Sequence, residues 1–150
     1  MEIERKFLIN ELPADIKSYD FHMIEQGYLC TDPVVRIRRQ NDEYFLTYKS
    51  KGFLMREEVN LPLSKDAYQH LKSKVDGIII RKIRYLLPLE DNLTIELDAF
   101  DRPYETLLMA EVEFNSEEEA KAFTPPHWFG EEVTTLPAYQ NSTLSSGFIL

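Results

Sequence analysis

Seven short stretches of this 150-residue chain carry charged side chains with alternate spacing: Glu2-Ile3-Glu4-Arg5-Lys6, Val35-Arg36-Ile37-Arg38, Leu46-Thr47-Tyr48-Lys49, Arg56-Glu57-Glu58, Lys82-Ile83-Arg84, Ile95-Glu96-Leu97-Asp98 and Glu111-Val112-Glu113. A spacing of two is the period of one face of a β-strand, with side chains about 6.5–7 Å apart. The cations Lys6, Arg36, Arg38, Lys49, Arg56, Lys82 and Arg84 could surround a polyanion, because the arginine fork matches phosphate oxygens. The carboxylates Glu2, Glu4, Glu58, Glu96, Asp98, Glu111 and Glu113 would repel such an anion. They make sense as ligands for Mg²⁺ or Mn²⁺, hard cations that take carboxylate oxygen and bridge to phosphate. Arg/Lys and Asp/Glu around one cavity meet the needs of phosphoryl transfer: neutralisation, alignment and metal activation.

The elements that must position these groups are mostly strands. Turn signals at Asn41-Asp42, Lys51-Gly52 and Glu90-Asp91-Asn92 separate segments of alternating polarity. Strands are expected near residues 2–8, 21–29, 34–40, 43–50, 53–61, 79–89, 92–100 and 107–114. All but the second set their charges against an apolar face, such as Ile3 and Phe7, Tyr44, Leu46 and Tyr48, or Met55, Val59 and Leu61, with Arg5 and Glu57 as exceptions. Helices are expected over 65–76, behind Ser64 as N-cap and before Gly77 as a stop, and over 117–123, where Ser116 and Glu119 have capping-box spacing. A helical turn is expected near Pro13–Tyr19, and the tail from Val133 is ambiguous.

An ordinary sheet would explain charges on any one strand as its solvated face. The whole set is different: cations group on the third, fourth and sixth strands and carboxylates on the last two. About eight strands also leave open edges unless they close. Closure, with the apolar face covered outside by helices and long side chains, makes the charged face a lumen. Buried charges there require a charged occupant.

Composition limits the alternatives. A net charge of −9 argues against a general nucleic-acid binder, but not against a local anion site. No apolar run approaches the roughly 18–20 residues of a membrane helix, and no targeting segment is visible, so a cytoplasmic protein is expected. Cys30, the single cysteine, is expected to be a buried structural thiol. His22, His70 and His127 have no metal-ligand spacing, and His70 is expected on an exposed helix face.

The opening Glu2-Ile3-Glu4-Arg5-Lys6-Phe7 resembles the Glu-x-Glu-x-Lys signature of the CYTH, or triphosphate tunnel metalloenzyme, superfamily. The other six stretches agree in order and inward parity over almost the whole chain. The resemblance implies an α+β, mostly β, single domain over 1–150: a closed eight-stranded antiparallel barrel with a few helices outside. It implies Glu2, Glu4 and Glu113 as metal ligands, with Glu96, Asp98 and Glu111 as nearby partners. Lys6, Arg36, Arg38, Lys49, Arg56, Lys82 and Arg84 become phosphate contacts, and Glu4, Lys6 and Glu58 the residues closest to the chemistry.

The expected activity is metal-dependent hydrolysis of tripolyphosphate by a monomer or homodimer, with a small-molecule triphosphate as partner rather than nucleic acid or membrane. The alternatives are an adenylate cyclase, a thiamine or nucleoside triphosphatase with Tyr19, Phe53 or Trp128 stacking on the organic group, and a non-catalytic polyphosphate binder. One departure lies in the tail, where Leu136-Pro137-Ala138 stands in place of the acidic and basic residues that precede Tyr-x-Asn in bacterial relatives. Tyr139 and Asn141 are therefore expected only to dock the tail.

Overall fold

A computed structural model describes residues 1–148. In chain order it has β1 (Glu2–Leu8), β2 (Asp20–Thr31), β3 (Val34–Gln40), β4 (Glu43–Lys49), β5 (Met55–Arg56), β6 (Glu58–Pro62), α1 (Lys65–Lys72), β7 (Asp76–Pro88), β8 (Thr94–Phe100), β9 (Leu108–Glu113), α2 (Glu117–Ala122) and α3 (Asn141–Leu144). Short 3₁₀ turns occupy Ile16–Ser18, Glu90–Asn92 and Pro137–Tyr139. The strands form one antiparallel sheet in the order β5-β1-β9-β8-β7-β2-β3-β4-β6, curled nearly into a barrel.

The ninth strand is a correction to the expected eight. The segment expected as one strand over 53–61 divides at Glu57. Met55–Arg56 pairs with β1, while Glu58–Pro62 pairs with β4. The exposed Glu57 exchanges hydrogen bonds with Ser50 at this joint, its N–H reaching Ser50 Oγ at 2.8 Å and its carbonyl accepting from Ser50 N at 3.0 Å. The same chain segment thus carries both ends of the sheet, which brings them together and keeps Arg56 and Glu58 on the inner side.

Both helices start where expected. Ser64 Oγ accepts from Ala67 N at 3.1 Å, and Ser116 Oγ from Glu119 N at 3.0 Å. The first helix ends at Lys72 rather than 76, because β7 begins earlier than expected. Asp76 pairs with Tyr28, and Ile78 N donates to Ser145 O at 2.6 Å. Gly77 has φ +67, and a Cβ there would lie 2.1 Å from Ser145 O, so only glycine lets the tail lie across this bend.

The outer face is covered unevenly. α2, Trp128 and Phe129 pack with Ile3, Ile95, Leu97 and Val112 into one apolar core, and Tyr68 of α1, fully buried, covers β3 and β4 beside Tyr44. Arg5, the exception in the first strand, ties this cover down by donating to Glu132 Oε1 at 2.7 Å and to the carbonyls of Ala120 and Phe123. The face of β5 and β6 expected to be covered is instead open, with Met55, Val59 and Leu61 about half exposed. Cys30 is only half-buried, near the end of β2, rather than in the core. No helix among the described residues is long and apolar enough to cross a membrane.

Candidate functional site: a charged bore closed at one end

Strand parity sends Ile80, Lys82 and Arg84 of β7, Glu96, Asp98 and Phe100 of β8, and Met109 and Glu111 of β9 to the concave side. The apolar members of this series meet Tyr104, Leu107, Val133 and Leu144 in a second core that fills one end of the barrel. Tyr104 holds the tail there by donating to Leu144 O at 2.8 Å. What remains is a cavity of about 180 Å³, lined by six cations (Lys6, Arg36, Arg38, Lys49, Arg56 and Arg84) and six carboxylates (Glu2, Glu4, Glu58, Glu96, Glu111 and Glu113). Organic-ligand pockets commonly measure roughly 300–1,000 Å³, so this one suits a smaller ligand.

Register brings these groups together. Glu2 lies opposite Arg56, and Lys6 opposite Glu111. Glu2 is clamped by Arg56 Nε at 3.0 Å and Lys49 Nζ at 3.0 Å, while Lys6 Nζ sits 3.6 Å from Glu4 and 3.8 Å from Glu111. Arg84 donates to both oxygens of Asp98, at 2.8 and 2.9 Å, and to Glu96 at 3.0 Å. Lys82 reaches Asp98 at 2.7 Å. Two pairs of like charge also face each other directly across strands, Glu4 with Glu113 and Glu96 with Glu111. Such pairs repel unless a cation separates them.

The titration behaviour follows from this crowding. Burial, reinforced by Glu111 and Glu2, pushes Glu4 up to about 7 against the opposing pull of Lys6. Glu113 stands at the mouth without a cation partner among the described residues. Loss of solvent around its carboxyl, with Glu2, Glu96, Glu58 and Glu4 nearby, pushes it up to about 7 as well. Burial also acts on Glu111, but Lys6, Arg84 and Lys82 outweigh it and hold that group well below the carboxylate range. Glu58 is lowered in the same way, burial being overcome by its contact with Glu2 and by Lys49 and Asn60.

Glu2, Glu4 and Glu113, with Glu111 beside them, are the carboxylates of the wall that could hold a metal. Among the described residues, no three Asp, Glu, His or Cys side chains gather into a ready-made metal cage. An open set of this kind fits Mg²⁺ or Mn²⁺, because Mg²⁺ keeps several waters and takes one or two carboxylates plus substrate phosphate oxygens. Carboxylates that repel one another until a cation arrives fit the same chemistry.

Residues 1–143 match the family model described as the CYTH domain. The chain belongs to the CYTH family. It is 41% identical over 149 residues to the inorganic triphosphatase of Nitrosomonas europaea, covering 96% of each chain, and 35% identical over 148 residues to that of Acetivibrio thermocellus, covering 95% of this chain and 92% of the relative. Among solved structures, the inorganic triphosphatase NE1496 superposes with a TM-score of 0.72 at 38% identity, over 99% of this chain and 96% of that one. HpAC1 from Hippeastrum, at 17% identity and a TM-score of 0.57 over 81% and 83% of the two chains, shares the fold.

Most of the charged residues singled out in the CYTH stretches reach the cavity wall, but Lys82 and Asp98 do not. Both side chains are fully buried behind it, where Lys82 also donates to Asn141 Oδ1 at 3.4 Å and lies 5.2 Å from the centroid of Phe100. Burial, with Arg84 and Arg38 close by, pushes Lys82 down to about 7 despite Asp98. The tail divides between two roles. Tyr139 packs against the second core as a dock, whereas Asn141, with Gln140 and Ser142, lines the cavity. Asn141 thus does more than the expected docking.

Sequence reasoning missed Tyr28, Gln26 and Gln140. Tyr28 lines the wall, Gln26 holds Arg38, and Gln140 Oε1 lies 3.5 Å from Lys6 Nζ. All three are neutral, and Tyr28 and Gln26 share the inner face of β2 on either side of a bulge. The signal that could have found them is parity on β2, whose inner face carries no cation and only the exposed Asp20 at its start. Tyr19 and Trp128 belong to the outer core and Phe53 is exposed, so none of the expected stacking residues lines the cavity.

Proposed function

We propose that the chain hydrolyses inorganic triphosphate to pyrophosphate and phosphate, using Mg²⁺ or Mn²⁺. The observation that carries this reading is the cavity wall itself, which is small, alternately cationic and anionic, and furnished with one deeply set aromatic residue, Tyr28. It offers charge to a short polyanion and no platform to a base or thiazolium ring. The activity of the Nitrosomonas and Acetivibrio relatives supports the same substrate.

In this reading Arg36, Arg38, Lys49, Arg56, Lys6 and Arg84 bind the phosphate oxygens, while Lys82 acts from behind the wall through Asp98 and Asn141. Glu2, Glu4 and Glu113 hold the metal, and Glu96 and Glu111 stand beside them. When bound, the metal supplies charge neutralisation and Lewis-acid polarisation of the terminal phosphoryl group. Lys6 stays protonated because Glu111 and Glu4 outweigh its burial, so it donates a cationic hydrogen bond to a phosphate oxygen. Glu58 stays ionised and is free to accept a hydrogen bond from the attacking water. Attack on the terminal phosphorus breaks its bond to the bridging oxygen, and pyrophosphate leaves.

Phosphate release from tripolyphosphate with Mg²⁺ or Mn²⁺ is expected to far exceed release from ATP or thiamine triphosphate, with no cyclic AMP formed from ATP. Equal or faster turnover of either organic triphosphate, or cyclisation of ATP, would overturn the substrate assignment. Glu4→Gln is expected to cost more than the roughly 10–100-fold that loss of an outer metal partner costs, with the circular dichroism spectrum unchanged. Retained turnover would remove Glu4 from the metal site.

A further inference from the structure

Gln26 has no charge and lies outside every charged stretch, yet it occupies a decisive place. Its side chain is fully buried on β2, directly across the sheet from Arg38 on β3. The amide oxygen accepts from both Arg38 Nε, at 3.0 Å, and Arg38 Nη2, at 2.7 Å. That grip fixes the plane of the guanidinium and fixes the amide itself, since a flipped amide would set its NH₂ group against two donors. The consequence is an orphan: Gln26 Nε2 is buried with no acceptor, and so is Arg36 Nε on the neighbouring bore position of β3.

Lys6, Lys49, Arg56, Lys82 and Arg84 all have carboxylates within ion-pair distance. Among the described residues, Arg36 and Arg38 have none. Burial, together with Arg36 and Arg84, pushes Arg38 down to about 9. A half-buried guanidinium held only by a neutral amide is costly in the free protein. The arrangement becomes favourable when an anion enters and takes the donors that the chain leaves unpaired.

We propose that Gln26 is a positioning residue that aims Arg38 at the incoming phosphate while leaving its charge uncompensated. This inference rests on the triphosphate reading given above. A glutamate at position 26 would grip the same fork, but would also satisfy Arg38 before substrate arrived. An apolar residue would leave the charge free and the fork unaimed.

The test uses the full chain with Gln26→Glu and Gln26→Met. Three readouts are needed: thermal midpoint without ligand, tripolyphosphate affinity by calorimetry without metal, and kcat and KM with Mg²⁺. Gln26→Glu is expected to raise the thermal midpoint, because Arg38 gains a counter-charge, and to weaken binding at least about tenfold through the loss of charge-assisted hydrogen bonds. KM should rise by more than kcat falls. A merely structural role predicts the reverse pairing, a lower midpoint with unchanged affinity, and that result would overturn the assignment.

Gln26→Met covers the case in which the glutamate variant does not fold. It should weaken binding about tenfold with an unchanged circular dichroism spectrum, and wild-type affinity in this variant would also refute the proposal. Wild-type protein that releases no phosphate from tripolyphosphate would instead refute the function reading. The ligand-free midpoint of Gln26→Glu still decides the state of Arg38 in that event.

Discussion

The two walls of the bore treat arginine in opposite ways. On the β7–β8 side, Arg84 is forked onto Asp98, touches Glu96 and lies 3.9 Å from Glu111, while Lys82 shares Asp98 behind it. On the β2–β3–β4 side, Arg38 rests on an amide and Arg36 donates to Thr47 Oγ1 at 3.4 Å. The difference lies in what stands opposite in register: Asp98 faces Arg84, whereas Gln26 faces Arg38 and Thr47 faces Arg36. A cation with a built-in carboxylate is held by the protein before any ligand arrives. One without a carboxylate takes its counter-charge from the ligand. Charge count does not separate the two walls; the partner does.

The largest effect should come from breaking the compensated wall. Asp98→Asn leaves Lys82 and Arg84 buried without their shared counter-charge. Stability should fall by about 3–5 kcal/mol, the cost typical of removing one partner from a buried ion pair. Urea unfolding measures it. A loss below about 1 kcal/mol, the value of an exposed pair, would mean that this wall is open to water and that the contrast between the walls fails.

The uncompensated wall should respond differently. Arg38→Met removes a half-buried cation that is repelled by Arg36 and Arg84. That relief is opposed by the buried Gln26 oxygen, which loses both donors. Stability should therefore stay near the wild-type value, while kcat/KM for tripolyphosphate falls about 10–100-fold, the equivalent of one or two charge-assisted hydrogen bonds. Unfolding and steady-state kinetics on the same preparation decide the matter. Concerted loss of stability and activity would put Arg38 in the same structural class as Arg84.

Much of this was legible in the sequence, because alternation is a local property. Glu2, Glu4 and Lys6 could be assigned to one face from three residues of spacing, and the strand limits of β1 and β3 needed nothing further. Ser64 and Ser116 announced their helices by side-chain chemistry alone. What alternation cannot supply is adjacency. That Asp98 pairs with Arg84, or that β2 rather than β9 lies beside β3, depends on the order of strands in the sheet. Lys82 and Asp98 therefore read as cavity residues when they are a buried pair behind the wall. The division at Glu57 was hidden for a related reason: it occurs where one segment must serve both ends of the sheet, a requirement set by closure. Gln26, Tyr28 and Gln140 escaped because neutral residues stand out only against a known set of neighbours.

The carboxylate side of the bore should show a smaller effect, readable from pH. Glu4 and Glu113 are raised to about 7 from an ordinary 4.5, and Glu2 is raised as well. Between about 4.5 and 7 the folded protein holds protons on these groups that the unfolded chain has released. Stability falls with rising pH wherever the folded state binds more protons. The metal-free protein should thus lose stability as pH rises from about 4.5 to about 7. Glu58, Glu111 and Asp98 are lowered, so they act in the opposite sense but at more acid pH, below the unfolded value of each. The window above 4.5 is set by the raised carboxylates, until Lys82, lowered to about 7, begins to act in the opposite sense at its upper end. Added Mg²⁺ should flatten the decline by favouring the ionised carboxylates, whereas the same titration of Glu4→Gln should begin with a shallower slope. Urea midpoints at four or five pH values, with and without Mg²⁺, measure both. A metal-free stability that climbs steadily through this window would show that Glu4 and Glu113 ionise as ordinary carboxylates, and the repulsion assigned to their side of the bore would be absent.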